Sequence, residues 1–144
     1  MQVEAEVIIH AAPPKVFSLL SQLERDPEWQ EAAIWTKPRA PGPLRVGSQM
    51  DHEGRFMGLR LRTAGVITAF EPGRVLAYDF SSRFGRTTMR FDLDDIAGST
   101  KLRLSAIAPL PLLMRPVTRF IRRSVQGMFE RDVLRLRDLV ESEG

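Results

Sequence analysis

The sequence predicts an α+β domain in which a strongly curved antiparallel sheet wraps around one long C-terminal helix, with two short helices after the first strand. Three observations predict this class. Residues 2–9 alternate between apolar and polar side chains, which is typical of a half-buried strand. Residues 48–109 continue as short alternating segments between turn signals, and residues 115–140 repeat apolar side chains every three or four positions. We expect residues 1–144 to form a single domain.

Two short helices are predicted after the first strand. The stretch PPKVFSLLSQL begins at Pro13, and proline suits the first turn of a helix. The stretch RDPEWQEAA predicts the second helix, with Asp26 as its cap and Pro27 at its first position. A loop rich in proline and glycine follows over residues 37–47. Too little chain precedes this loop for it to separate two domains.

Turn signals divide the middle of the chain into neighbouring strands. EPGR at 71–74 is typical of a type II turn, in which Gly73 takes a positive φ. RFG at 83–85 and DDIAGS at 94–99 are further turn signals. The segments between the turns alternate, which predicts an antiparallel meander with one packed face and one face in water.

The closing helix is predicted to begin at Arg115 or Pro116. Its apolar stripe consists of Val117, Ile121, Val125, Phe129, Val133, Leu136 and Val140. Gly127 interrupts the helix at a cost of about 1 kcal/mol relative to alanine. Two interpretations of this glycine stay open: it clears space for a pocket beside Met128, or it is a surface glycine of no special role.

Four segments carry a resemblance to a known superfamily: IIHAAPPKVFSLLSQLERDPEWQ, PGPLRVGSQM, ITAFEPGRVLAYDF and the closing helix. On these segments the chain resembles the START-like, helix-grip superfamily, also called SRPBCC, and is most similar to its polyketide cyclase/dehydrase-like branch. The resemblance implies a seven-stranded sheet that grips the C-terminal helix, with a deep and mostly apolar cavity between them. Members bind lipids, sterols, polyketides or plant hormones, and some catalyse cyclisation or hydrolysis.

We predict that inward-pointing apolar and aromatic side chains line this cavity. Tyr78 offers an apolar ring and one hydroxyl, which either orients a ligand or is satisfied within the core. The resemblance places Trp29 near the cavity mouth. The predicted lining is Trp29, Trp35, Phe56, Tyr78, Phe80, Met89, Phe91, Leu102, Leu104, Val125, Met128 and Phe129.

Few side chains could carry acid–base chemistry. His10 ends the first strand and is expected to be structural. His52 lies between Asp51 and Glu53, and histidine beside carboxylates can act as a general base; strand alternation, however, puts both carboxylates on the opposite face. Asp79 is expected to face water. The sequence therefore names no catalytic residue, predicts no metal site and no cofactor, and without cysteine excludes thiol chemistry.

The net charge is +3, and four arginines cluster in the closing helix. Arg115, Arg119, Arg122 and Arg123 are expected either to form a solvated face or to contact anionic phosphates of lipid or nucleic acid. Nucleic-acid binding is disfavoured because only Phe120 interleaves these cations with an aromatic ring.

The function that these features predict is binding of a hydrophobic small molecule that is lipid-, polyketide- or terpenoid-like. One alternative is an enzyme of the polyketide cyclase/dehydrase type, and another is an interaction module that uses the basic helix face. No apolar run is long enough to span a bilayer, and the N-terminus lacks the pattern of a secretory signal. We therefore expect a cytoplasmic monomer or homodimer, with at most weak contact to a membrane surface.

Overall fold

The computed structural model describes residues 1–110 and 112–143, which form a seven-stranded antiparallel sheet and two α-helices. The strands are β1 Gln2–Ile9, β2 Ala33–Pro38, β3 Gln49–Phe56, β4 Leu59–Glu71, β5 Val75–Ser82, β6 Gly85–Ile96 and β7 Ser99–Ile107. The helices are α1 Pro13–Leu20 and α2 Thr118–Ser142. The strand order is β1-β7-β6-β5-β4-β3-β2. The predicted helix-grip fold, with a curved sheet around the long C-terminal helix, is confirmed.

Tight hairpins join the consecutive strands from β3 to β7. The turn at 71–74 has the predicted geometry, because Gly73 has a φ of 77° and the Arg74 amide donates to the Glu71 carbonyl at 2.9 Å. A one-residue irregularity in the pairing of β4 with β5 lies between Ile67 and Ala69. Such an extra residue increases the local twist and helps a sheet curl around a helix.

The connection from β1 to β2 closes one end of the sheet. α1 begins at Pro13 as predicted, and it buries one apolar face against the sheet. The predicted second helix is instead a 3₁₀ helix, Leu23–Glu28, that begins before Asp26 and is not capped by it. The Asp26 side chain is buried and accepts a hydrogen bond from Thr36. Its carboxyl group therefore joins two elements rather than capping one.

α2 follows a second 3₁₀ helix, Leu112–Val117, so the α-helix begins at Thr118 and not at Arg115 or Pro116. Val117 is exposed and lies outside the buried stripe, whose first buried residue is Ile121. The helix has 25 residues, a length of about 38 Å. Within residues 1–110 and 112–143, no helix is both long and apolar enough to cross a membrane.

The packed core fills one half of the concave face of the sheet. There the C-terminal half of α2, α1 and the first 3₁₀ helix cover the sheet. The largest fully buried side chains include Trp29, Tyr78, Phe91, Leu102, Leu104 and Leu136. The other half of the concave face is covered by the N-terminal half of α2 and by the second 3₁₀ helix, and this difference positions the site described next.

Candidate functional site

A cavity of about 550 Å³ lies between the sheet and the N-terminal half of α2. Its wall is mostly apolar and includes Val3, Phe56, Leu61, Ala106, Met114 and Phe129. Two hairpin tips, those of β3–β4 and β5–β6, form one side of its mouth. Met57, Leu59 and Phe84 at these tips line the cavity and are also exposed to solvent, so the cavity opens between the tips and the helix.

The cavity exists because the inward side chains become small towards this end of the sheet. Along β7, the inward-pointing residue after Leu104 is the smaller Ala106. Along β6, the inward-pointing residue next to Met89 at this end is the smaller Thr87. The inward row of β5 ends at Ser82. The large side chains of the core hold α2 at a fixed distance from the sheet, because helix and strands are rigid. The small side chains at this end do not reach across that distance, so a space remains between sheet and helix.

The helix contributes Val125, Met128 and Phe129 to the cavity wall. Gly127 does not open this space. A Cβ atom built on Gly127 would meet, among the described residues, only the Nη1 atom of Arg131, at 3.3 Å. Of the two interpretations of Gly127, the structure supports the surface glycine.

The structure brings four of the twelve predicted lining residues to the cavity: Phe56, Val125, Met128 and Phe129. Seven others lie in the packed core next to it: Trp29, Tyr78, Phe80, Met89, Phe91, Leu102 and Leu104. The six of these that lie on strands point inward as strand alternation predicts, and Trp29 follows the first 3₁₀ helix. Neighbouring side chains fill the space around them, as the edge-on packing of Phe91 against Trp29 at 5.9 Å shows.

Trp35 lies on the outer face of the sheet and does not reach the cavity. Its indole N–H donates to Glu53 at 3.0 Å, and the side chains of Lys37 and Arg62 lie over its ring. The cause is a bulge in β2, where the pairing with β3 shifts between Ala33 and Trp35. An added residue turns every later side chain of the strand to the other face.

A line of three hydrogen-bonded polar side chains, Asp26–Thr36–His52, lies on the concave face. The Thr36 hydroxyl donates to Asp26 Oδ2 at 2.9 Å and lies 2.8 Å from His52 Nδ1. Thr36 has one hydroxyl hydrogen, so with Asp26 ionised it is His52 Nδ1–H that donates to Thr36. In that tautomer His52 Nε2 carries no proton and can act as a base.

Burial acts on the two ends of this line in opposite ways. Burial raises the pKa of Asp26 to about 7, although the Thr36 hydrogen bond works against it. Burial lowers the pKa of His52 to about 4, against the opposing charge of Glu53. At neutral pH the imidazole is therefore uncharged, while the Asp26 carboxyl group is close to its midpoint.

The imidazole of His52 is placed by a glycine. Gly54 leaves room for it, since a Cβ atom on Gly54 would lie 2.8 Å from His52 Nε2 and 3.1 Å from the Ala32 carbonyl oxygen. Ala32 lines the cavity. His52 also packs against the Phe80 ring, with centroids 4.7 Å apart. The His52 side chain is thus held on the concave face of the sheet, next to the cavity wall.

Further polar groups surround Tyr78 in the same part of the core. Burial raises the pKa of Tyr78 well above its ordinary value, the charge of Asp26 adds to this, and the Gln30 side chain opposes it. Trp29 Nε1 is buried without a hydrogen-bond partner among residues 1–110 and 112–143.

The remaining chemical candidates lie elsewhere. His10 is exposed and its Nδ1 is 3.4 Å from the Ser99 hydroxyl. Asp79 lies on the outer face and accepts a hydrogen bond from Thr88 at 2.8 Å. The part of the chain that the structure describes contains no group of three or more histidine or acidic side chains that could hold a metal ion.

Comparison with solved structures shows the same fold over the full chain. TTHA0849 from Thermus thermophilus is 16% identical, with a TM-score of 0.83 over 100% of this chain and 99% of that one. A START superfamily protein from Mycobacterium smegmatis is also 16% identical, with a TM-score of 0.76 over 99% of each chain. The di-domain ARO/CYC protein BexL of the BE-7585A biosynthetic pathway is 14% identical, with a TM-score of 0.73 over 98% of this chain and 46% of its own.

No curated protein sequence matches the chain. The sequence model of one family does match it, over residues 1–141, and that family is described as polyketide cyclase / dehydrase and lipid transport. The match covers every strand and nearly all of α2, the elements that enclose the cavity. The chain therefore belongs to this polyketide cyclase / dehydrase and lipid transport family, and it shares the fold of the START superfamily protein.

Proposed function

We propose that this protein binds a hydrophobic small molecule in the cavity between the sheet and α2. The observation that carries the proposal is an apolar cavity of about 550 Å³ that opens to solvent. Cavities of roughly 300–1,000 Å³ with mostly apolar walls are the usual size for small-molecule sites. A lipid-, polyketide- or terpenoid-like ligand fits this chemistry, because the wall offers mainly aliphatic and aromatic contacts.

A small number of hydroxyl groups would orient such a ligand. Thr63, Ser82 and Thr87 line the strand side of the cavity. A ligand with one carbonyl or hydroxyl group gains a hydrogen bond there while its apolar part lies under α2. Native mass spectrometry of protein purified from its own host reads the ligand mass. We further propose that the protein is cytoplasmic, and the same measurement shows whether it is a monomer or a homodimer.

Met128→Trp tests the cavity directly. The larger side chain should occupy ligand space, so a fluorescent fatty-acid analogue should bind roughly tenfold more weakly or not at all, while the melting temperature holds. Leu134→Trp is the matched control, because Leu134 is an exposed residue of the same helix. Absence of probe binding to the wild type, or equal binding to both variants, would contradict the proposal.

Acid–base catalysis on the bound molecule is a second candidate function, and the Asp26–Thr36–His52 line favours it. When Asp26 is ionised, the neutral imidazole beside the cavity wall has Nε2 as a free acceptor, which can take a proton from a bound polyketide-like chain. BexL, which has a similar fold, is described as an ARO/CYC protein of a biosynthetic pathway. Binding and catalysis are compatible, because the line adjoins the apolar cavity.

His52→Gln separates the two functions. With a poly-β-ketone thioester as substrate, the variant should lose about 10²–10⁴-fold in turnover, the usual contribution of a positioned base. Binding of the fatty-acid analogue should stay within a few fold of the wild type. Equal turnover by both proteins, or no turnover by either, rejects the catalytic function and leaves the binding proposal in place.

A further inference from the structure

Large apolar side chains stand exposed around the cavity mouth. We call them the apolar rim: Met57, Leu59, Phe84, Leu112, Leu113 and Phe120. Leu113 is 93% exposed, Leu112 71% and Phe120 70%. Scattered single apolar residues are ordinary on a protein surface, but six at one end of a molecule indicate a contact surface.

The positions of the rim residues follow from their neighbours. Met57, Leu59 and Phe84 line the mouth themselves, and Leu112 and Leu113 directly precede Met114, which lines it too. Phe120 lies three helical turns before Arg131 on the same side of α2. Arg131 pairs with Glu31 at 3.0 Å, next to Ala32 of the cavity wall. Phe120 therefore faces the gap between α2 and the β3–β4 hairpin.

The tip of the β3–β4 hairpin holds an apolar residue in a backbone conformation that disfavours it. Met57 has a φ of 51°, in the left-handed region that glycine and asparagine usually occupy. This turn position would be more stable with asparagine or glycine. A strained and solvent-exposed methionine at the apex fits a tip whose side chain is used in contact with something apolar.

The chain around the mouth carries charge of one sign. Residues 54–70, 80–91 and 96–129 contain no aspartate or glutamate. Among the described residues, the following arginines have no carboxylate within 4 Å: Arg45, Arg55, Arg62, Arg83, Arg115, Arg119, Arg122 and Arg123. Six of the eight belong to the hairpin tips and to the segment from the second 3₁₀ helix into α2, beside the apolar rim.

We propose that this end of the molecule docks on an anionic lipid bilayer. The apolar rim enters the interface between headgroups and acyl chains, and the surrounding arginines contact lipid phosphates. Exposed leucines, methionine and phenylalanine encircled by arginine match the surface of an interfacial membrane binder. The cavity mouth then opens onto the bilayer, so an apolar ligand passes between membrane and cavity without crossing water.

The rim favours a bilayer over a nucleic acid. Nucleic-acid surfaces pair cations with aromatic rings that stack on bases, whereas four of the six rim residues are leucine or methionine. Aliphatic side chains gain nothing from a phosphate backbone but gain free energy from acyl chains. This proposal goes beyond ligand binding, because it assigns a partner to the exposed surface around the cavity mouth.

Vesicle co-sedimentation of the full chain tests the docking. Wild type should bind vesicles of phosphatidylcholine with phosphatidylserine, should bind phosphatidylcholine alone far less, and should dissociate as salt is raised. Leu112→Gln with Leu113→Gln should weaken binding roughly tenfold through lost apolar insertion. Arg119→Gln with Arg123→Gln should weaken it by about fivefold for each arginine.

Matched controls come from the opposite end of the sheet. Val46→Gln with Ile96→Gln removes two exposed apolar residues there. Arg45→Gln removes an arginine that, like those beside the rim, has no carboxylate within 4 Å among the described residues. All three control positions should leave vesicle binding unchanged. Phe120→Ser is a second rim variant. Because Phe120 lies in α2, this variant still tests the rim if the two leucine substitutions disturb the short 3₁₀ helix.

The outcomes are separable from ligand binding. In vesicle-free buffer the rim variants should still bind the fatty-acid analogue, and Met128→Trp should lose the analogue yet still bind vesicles. The docking proposal is overturned if the wild type does not bind anionic vesicles. It is also overturned if the leucine double variant and Phe120→Ser both bind vesicles as the controls do. It is also overturned if only the arginine variant weakens while an oligonucleotide competes with vesicles, a result that indicates a nucleic-acid surface.

Discussion

Asp26 places a carboxyl group in the core. One hydrogen bond from a hydroxyl group offsets part of the free-energy cost of burying it. It is 2% exposed and hydrogen-bonded to Thr36, and its pKa rises from 3.8 to about 7 because of burial. The folded protein therefore holds a proton that the unfolded chain releases. The stability from this group is complete below about pH 4 and is lost as the pH rises through about 7.

Asp26→Asn should reveal this dependence. The variant cannot ionise, so its free energy of unfolding minus that of the wild type should increase from about pH 4 to about pH 8, by up to about 4 kcal/mol. His52 titrates in both proteins, and its contribution cancels in the difference. Urea unfolding at several pH values measures it, and a difference that stays flat with pH would show that Asp26 is not buried as described.

At the scale of the elements, one sheet serves both as core and as cavity wall. Leu104 on β7 and Leu61 on β4 both point inward, but Leu104 is buried under packed side chains while Leu61 lines the cavity. The same substitution at the two positions therefore has two different costs. A fully packed leucine loses transfer free energy and leaves a new void, whereas a lining leucine already borders one.

Leu104→Ala should lower the free energy of unfolding by about 3–5 kcal/mol, and Leu61→Ala by about 1 kcal/mol. Leu61→Ala should also change the affinity of the fatty-acid analogue. Chemical denaturation gives both free energies. Equal costs at the two positions would mean that the cavity end of the sheet is packed as tightly as the core.

In the whole molecule, the ligand site and the basic surface are distinct. The cavity lies under α2, while Arg115, Arg119, Arg122 and Arg123 are exposed on the outside of the same segment. An uncharged ligand enclosed by apolar walls should not sense these charges, since exposed charges are screened within about 8–10 Å.

Changing all four arginines to glutamine should leave the affinity for a neutral apolar probe within about twofold in vesicle-free buffer. Binding to anionic vesicles should be largely lost in the same protein. Probe titration and vesicle co-sedimentation on one preparation measure both. A large loss of probe affinity would place at least one arginine inside the ligand site.

Local patterns in the sequence were sufficient for the first strand, α1, the strands from β3 to β7 and the long helix, but not for β2, Ala33–Pro38, which lies where a helix and a loop were predicted. Alternation along Met89 and Phe91, the turn around Gly73 and the stripe of α2 each depend on residues a few positions apart, and strand and helix periods are properties of the local backbone. The inward face of most strands was predictable for the same reason. The cavity itself had a local signal that the prediction did not use, namely the fall in side-chain size from Leu104 to Ala106.

Other features depend on which elements meet, and no local pattern contains that information. Alternation turns Phe91 and Thr87 inward alike. Phe91 is core because Trp29 packs against it, whereas Thr87 faces a cavity that α2 and the second 3₁₀ helix cover without filling. Asp26 has the local features of a helix cap, yet it is buried because Thr36, ten residues later, supplies its hydrogen bond. Burial is a sum over partners brought together by the chain fold, so it follows from the tertiary arrangement and not from a residue's own neighbours in sequence.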